Sequence, residues 1–357
     1  MIILKSLTYL IDYFIHFLIS LNFIIIDFFS KRNSPSFRFV LIYIISEAMR
    51  ITTKILFGIL LFGTGVLFVN AVQEAPTDAI VERKMINDYN VYALPIPEKM
   101  DFAGEPVPLH NPDIRERMDR ELLVNVYWQS NGLLLFKRAH KYFPVIEPLL
   151  KKYGIPDDFK YLVVAESGLM NNRSPAGAAG FWHFMKGTGK EYGLEINSYV
   201  DERYNLELAT RVAAEYLISA KNKFGSWTLA AAAYNAGRGG VAKQQTRQQS
   251  EDSYYDLLLN DETSRYVFRI LAFKEILSNP QKYGFNFRES DLYEAIPTYK
   301  VKVDTAVTDF ASFAIKQGIN YKILKIHNPW LRDNYLKNAS RKEYFIEIPE
   351  KGYYKNN

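Results

Sequence analysis

Glu166 lies in the run Ala165-Glu166-Ser167-Gly168-Leu169, where the surrounding residue types could hold a proton on a carboxyl. Pro156-Asp157-Asp158 predicts the start of a helix, because proline fits a first turn and carboxylates there face the positive end of the helix dipole. Phe159, Leu162, Val163 and Ala165 continue that helix as apolar positions, and Gly168 predicts its stop. Glu166 therefore falls in the last turn, beside unpaired carbonyls and the negative dipole end, where its ionised form is disfavoured. Desolvation among Tyr, Phe and Met side chains would raise its pKa further. A carboxyl that stays protonated near neutral pH is what a general acid needs. Taken alone, a glutamate near a helix end more often simply meets solvent.

The segments that must position Glu166 carry their own signals. Ser174-Pro175-Ala176-Gly177-Ala178-Ala179-Gly180 is too rich in small residues for a strand or a packed helix, and reads as a loop where backbone approaches a ligand. Phe181, Trp182, Phe184 and Met185 follow, a group that can wall a binding site for sugar rings, with ordinary core as the plainer reading for Phe181 and Phe184. Gly187-Thr188-Gly189-Lys190 is not a phosphate loop, since residue 191 is Glu and residue 184 is Phe; its glycines are expected to shape the turn before a short helix. Ser226-Trp227 opens a helix whose Ala230 to Ala233 run permits close packing, with Tyr234-Asn235 just before Gly237. Asn235 as a C-terminal cap and Tyr234 as core are the bland alternatives there. A further helix runs from Glu262 to Asn279, with Tyr266, Ile270, Leu271 and Ile276 on its apolar side.

Taken in order, Ala165 to Leu169, Ser174 to Met185, Thr188 to Leu194, Ala231 to Gly237 and Glu262 to Val267 resemble the motifs of the soluble lytic transglycosylase-like family, which cleaves the glycan strands of bacterial peptidoglycan. The resemblance implies a mainly α, lysozyme-like catalytic domain that needs no cofactor. It makes Glu166 the catalytic residue, with Ser167, His183, Met185, Tyr234, Asn235 and Tyr266 as substrate-binding residues. Asn235 would meet the sugar N-acetyl group, and the Tyr266 hydroxyl would lie close to the carboxyl. Glu166 would protonate the bond between N-acetylmuramic acid and N-acetylglucosamine, assisted by the substrate's acetamide, then take the C6 hydroxyl proton as a 1,6-anhydro sugar closes. Family members usually carry Gln where this chain has His183 and Pro-Ala where it has Lys186-Gly187. A non-catalytic wall-binding scaffold and a muramidase that hydrolyses the same bond are the alternatives on this fold. Glu191, Glu195, Asp201, Glu202, Glu207 and Glu215 are not in a motif that would supply a second catalytic carboxylate, and most read as solvated faces.

Composition narrows the classes. The 357 residues are 48% hydrophobic, enough for a full core and more than one module. The absence of cysteine excludes disulfides, thiolate chemistry and an acylated lipoprotein cysteine. His16, His110, His140, His183 and His327 have no metal-ligand spacing, so no metal is expected. A net charge of +5 suits an anionic wall or membrane surface, and no basic stripe with interleaved aromatics points to nucleic acid. The expected partners are peptidoglycan glycan strands and a membrane, with the protein a monomer.

Along the chain, residues 1–48 read as an apolar extension or a membrane anchor. Leu7 to Phe29 is long enough to span a bilayer, although Asp12, His16, Asn22 and Asp27 fall within it. Residues 49–71 read as an export signal: Met49-Arg50 and Lys54 precede the apolar Ile55 to Val69, and Val69-Asn70-Ala71 is a cleavage triplet. Residues 72–111 are rich in proline and charge, as in a tether. Residues 112–285 form the lysozyme-like domain, entered through two or more helices between Ile114 and Tyr153. Residues 295–350 have a strand, helix, helix, strand order: Tyr299 to Val303, Thr308 to Gln317, Tyr321 to His327 and Tyr344 to Pro349. That small α+β module resembles a lysin motif, and glycan binding and a packing role are both open to it. The envelope or periplasm is the expected location.

Overall fold

The computed structural model describes residues 91–250 and 253–354, together with helical residues between 43 and 58. Residues 1–89 and 90–357 form separate compact units. The apolar segment Leu7 to Phe29, the cleavage triplet and all of Ile55 to Val69 except Gly58 lie outside the described residues. Among the described residues no helix is long and apolar enough to cross a membrane.

A short hairpin, β1 (Asp101–Phe102) and β2 (Glu105–Pro106), leads into helices α1 (Pro112–Tyr127) and α2 (Gln129–Lys152). Pro112 occupies the first turn of α1, where its missing N–H costs nothing. The chain then forms α3 (Phe159–Ser167), α4 (Lys186–Glu191), α5 (Leu206–Phe224), α6 (Trp227–Ala236), α7 (Arg238–Gln248) and α8 (Asp261–Ser278). Helix α8 packs against α1, α3 and α6, which brings the far end of the domain to the short helix that carries Glu166.

The helix ends explain why these segments stop and start where they do. Gly168 ends α3 in the left-handed conformation that glycine adopts without penalty. Asn205, Ser226 and Asn260 cap α5, α6 and α8 by accepting from Leu208, Leu229 and Thr263 N–H groups. Helix α6 has a second cap from far away: the Glu105 carboxylate accepts from the N–H groups of Trp227 (2.6 Å) and Thr228 (2.9 Å) and from the Ser226 and Thr228 hydroxyls. Burial alone would raise the pKa of Glu105, but these four donors outweigh it and hold the carboxyl at about 2. Two expectations change here. Phe102, Val107 and Leu109 are buried in the helical core, so residues 91–111 pack on the domain rather than serve as a free tether. Gly187 and Gly189 lie inside α4 rather than before it, and a Cβ on Gly189 would come within 2.9 Å of Ile196.

After α8 the chain builds β3 (Thr298–Val303), α9 (Phe310–Lys316), α10 (Tyr321–His327) and β4 (Tyr344–Pro349), the predicted strand, helix, helix, strand order. β3 and β4 pair antiparallel with Val301 opposite Ile346. Their core of Phe310, Leu324, Trp330, Leu331, Ile346 and Ile348 also takes in Ala179, Val200 and Tyr204 from the preceding domain. The molecule is therefore mainly α, with one small α+β module at its end.

Candidate active site

The Glu166 side chain emerges from the last turn of α3 and keeps 16% of its surface exposed. Tyr266, a buried residue on α8, donates its hydroxyl to Glu166 Oε1 across 100 residues of sequence. Burial pushes the Glu166 carboxyl up to about 7. The Tyr266 hydrogen bond pulls the other way, the Glu262 carboxylate adds to the rise, and the Arg269 guanidinium opposes it. Glu262, Tyr266 and Arg269 lie at i, i+4 and i+7 of α8, so one helix stripe supplies all three influences.

His183 faces the other carboxylate oxygen, with Nδ1 3.8 Å from Glu166 Oε2, too far for a hydrogen bond. Burial lowers the His183 pKa, so the neutral ring is favoured. Its Nε2 lies 2.8 Å from Asn172 Oδ1, which can only accept; this assigns the proton to Nε2 and turns the Nδ1 lone pair toward Glu166. His183 also has a φ of 47°, in the left-handed region that few residues with a side chain adopt, held by the loop around it.

Tyr234 donates its hydroxyl to the Trp182 carbonyl at 2.7 Å and packs its ring beside Tyr216, Phe184 and Trp182. Burial, with the Glu166 charge adding to it, holds its pKa well above the usual value. Asn235 is not a helix cap. Its Oδ1 accepts from the Thr263 hydroxyl at 2.8 Å and its amide donates to Glu262 at 3.4 Å, tying the end of α6 to α8. Glu166, His183, Tyr234 and Tyr266 are thus one electrostatic cluster, with Asn235 joined to it through Glu262.

Ser167 and Met185 differ from these. The Ser167 side chain is 4% exposed and donates back to the Val163 carbonyl of its own helix. Met185 precedes α4 and is 47% exposed, whereas Phe181, Trp182 and Phe184 are core; Trp182 bonds Thr210. The small-residue loop also has a different reason for its glycine: a Cβ on Gly180 would come 1.8 Å from the Arg203 carbonyl, so the close approach is to the chain itself. Asp201 and Glu202 are buried rather than solvated.

Sequence reasoning missed Arg269, Asn172 and the buried Glu121. Glu121, 1% exposed, accepts from Arg120 at 2.6 Å and Arg265 at 2.7 Å, with Arg269 3.8 Å away. Its signal was present: Met118, Glu121, Leu122 and Asn125 share one face of α1, and a carboxylate on an apolar stripe calls for a paired cation. Among the described residues, no group of three or more His, Cys, Asp or Glu could hold a metal ion.

Residues 144–257 match the family model described as the transglycosylase SLT domain, a span that contains Glu166, His183, Tyr234 and Asn235. The chain carries a transglycosylase SLT domain. Behind it, residues 299–352 match the soluble lytic transglycosylase C-terminal LysM-like domain. The chain is 30% identical over 259 residues to membrane-bound lytic murein transglycosylase D of Escherichia coli strain K12, a match covering 70% of this chain and 55% of that protein. The protein of the same name in Escherichia coli O6:H1 matches to the same extent. The chain thus spans about half the length of these curated relatives. The X-ray structure of an inactive mutant of lytic transglycosylase Slt from Pseudomonas aeruginosa is also similar. It is 24% identical, and the match covers 43% of this chain and 26% of that one with a TM-score of 0.31.

Proposed function

We propose that this SLT-domain protein is a peptidoglycan lytic transglycosylase in which Glu166 serves as the single acid and base. The observation that carries the reading is the Glu166 carboxyl at the end of α3, 16% exposed and bonded by the Tyr266 hydroxyl, in surroundings whose burial pushes it up to about 7. The family matches and the names of the relatives support the same activity.

In the proposed reaction the Glu166 proton passes to the oxygen linking N-acetylmuramic acid to N-acetylglucosamine, and the bond from that oxygen to the muramic acid C1 breaks. The acetamide oxygen of the same sugar covers C1. Glu166, now a carboxylate, takes the C6 hydroxyl proton as the C6 oxygen bonds to C1 and displaces the acetamide. Glu166 regains its proton, no water is consumed, and the product is a 1,6-anhydro end. Tyr266 steadies the carboxylate halfway through by donating to it. Asn235 and His183 are assigned to the sugar, His183 through its acceptor nitrogen in place of the usual Gln. Tyr234 shapes the site through its bond to the Trp182 carbonyl, Ser167 through the α3 turn it closes, and Met185 through its exposed side chain. The LysM-like module is assigned to peptidoglycan binding, and the envelope location with membrane association follows the relatives.

Hydrolysis of the same bond has one observation in its favour: Glu262 is a second carboxylate close enough to raise the Glu166 pKa. Digestion of purified peptidoglycan by the full chain, beside Glu166→Gln, separates the readings by the sugar ends identified in mass spectrometry. Anhydromuramyl ends lost in the variant are expected; reducing muramic acid ends would favour hydrolysis, and wall binding without cleavage a scaffold.

A further inference from the structure

Loop 174–185, which brings His183 to Glu166, is held from behind by Arg203. The Arg203 side chain is almost fully buried, and its Nη1 donates to the carbonyls of Gly177 (3.2 Å) and Phe184 (3.0 Å), one on each side of the loop's tip. Its Nε and Nη2 fork onto Asp201 at 2.9 and 2.7 Å. Within the loop, Ala179 N–H donates to the Phe184 carbonyl and Gly180 N–H to that of Asn172, the residue that also holds the His183 ring. One guanidinium therefore sets the path of the backbone on either side of His183.

The segment that carries Arg203 is in turn bound to the C-terminal module. Asp201 N–H donates to the Trp330 carbonyl at 2.9 Å, and Arg332 N–H donates to the Tyr199 carbonyl at 2.8 Å. The Arg332 guanidinium stacks 4.3 Å from the centre of the Tyr204 ring. Lys342 reaches both Glu195 and Glu202 at 2.7 Å, and the Tyr344 hydroxyl donates to Glu195 at 2.9 Å. Ala179 from the loop itself lies in the module's apolar core with Val200 and Tyr204. A module on a free linker would meet its neighbour through a small, polar and changeable contact. This one shares a buried core and backbone hydrogen bonds with the segment behind the site.

We propose that Arg203 is a positioning residue through which the C-terminal LysM-like module fixes the loop that sets His183 opposite Glu166. The module is then part of the catalytic unit and not only an attachment for glycan. The kinetic consequence rests on the transglycosylase reading; the mechanical one does not.

Hydrogen exchange of the full chain tests the coupling, using Arg203→Lys, which keeps charge but loses the fork, and Lys342→Met combined with Tyr344→Phe, which loosens the module's polar hold. In both variants the amides of Ala179 and Gly180 should exchange about tenfold faster than in the parent chain, while those of Tyr266 and Val267 in α8 keep their protection. On peptidoglycan, kcat should fall about tenfold and by more than KM rises, because the shift takes His183 away from Glu166, whereas His183 and Met185 are only two of the contacts to the strand. Parent-level protection at Ala179 and Gly180 in either variant overturns the proposal. If the parent chain does not cleave peptidoglycan, the transglycosylase reading fails while the exchange result still decides the coupling.

Discussion

Replacing Glu166 with Gln should make the folded protein more stable, with an advantage that grows above about pH 4.5 and is complete a little above pH 7. The folded state lifts this carboxyl from its ordinary 4.5 to about 7, chiefly by burial, so folding opposes its ionisation. The sign follows from linkage. Below 4.5 the group is protonated in both states and contributes nothing. As pH rises toward 7 the unfolded chain ionises it first, and folding stability is lost. At about 1.4 kcal/mol per pH unit over that interval, the loss comes to about 3 kcal/mol by pH 8. Gln cannot ionise, and its amide oxygen can still accept from Tyr266. Denaturant unfolding of both proteins from pH 4 to pH 8 should give equal stabilities at the acid end and an advantage of about 3 kcal/mol for Glu166→Gln at pH 8, roughly 6–10 °C in Tm. Groups such as Glu105 titrate alike in both proteins and cancel in the difference. A difference that stays flat across the range would mean that Glu166 ionises as an ordinary exposed carboxylate, and the general-acid argument would fail with it.

Other expected outcomes follow from the same site and its supports. The cleavage rate should fall about tenfold per pH unit above the Glu166 value of about 7, measured as release of new glycan ends. Tyr266→Phe removes a donor that favours the carboxylate, so the rate should drop about 100-fold and the descending limb should move to higher pH; an unmoved limb would show that the hydroxyl does not govern the acid. Glu105→Gln should cost about 2 kcal/mol in urea unfolding at pH 7, discounted for the quarter of the side chain that meets solvent. That cost should shrink as pH falls from 4.5 toward 2, because a depressed carboxyl stabilises only while ionised. Gly180→Ala should lower stability by about 3 kcal/mol, since its Cβ would collide with a carbonyl at a φ of +82°; an unchanged unfolding midpoint would show that the loop shifts freely.

What could be read from the sequence was local. Pro156, the apolar positions of α3 and Gly168 are all within a few turns of Glu166, and short-range rules place the glutamate in a last turn without knowledge of the rest. Ser226 and the Ala230 to Ala233 run announced α6 in the same way, and the alternating β3 and β4 residues announced the C-terminal strands. The contact between Tyr266 and Glu166 has no local signature and was legible only through the resemblance of motifs. Glu105 is 122 residues from the Trp227 N–H it caps, so its role emerges only when the hairpin is packed against α6. The same holds for Glu202 and Lys342, 140 residues apart: a carboxylate in a charged stretch reads as solvated until the module that covers it is in place. Ser167 is the opposite case, because sequence position next to Glu166 says nothing about which way a helical hydroxyl turns.

The central claim, that Glu166 drives bond breakage without water, is tested most directly by digesting purified peptidoglycan with the full chain in heavy-oxygen water and weighing the new sugar ends. The account predicts muramyl ends that are one water lighter than reducing ends, carry no heavy oxygen, and do not form with Glu166→Gln. Reducing ends carrying heavy oxygen at C1 would contradict it and make the chain a hydrolase.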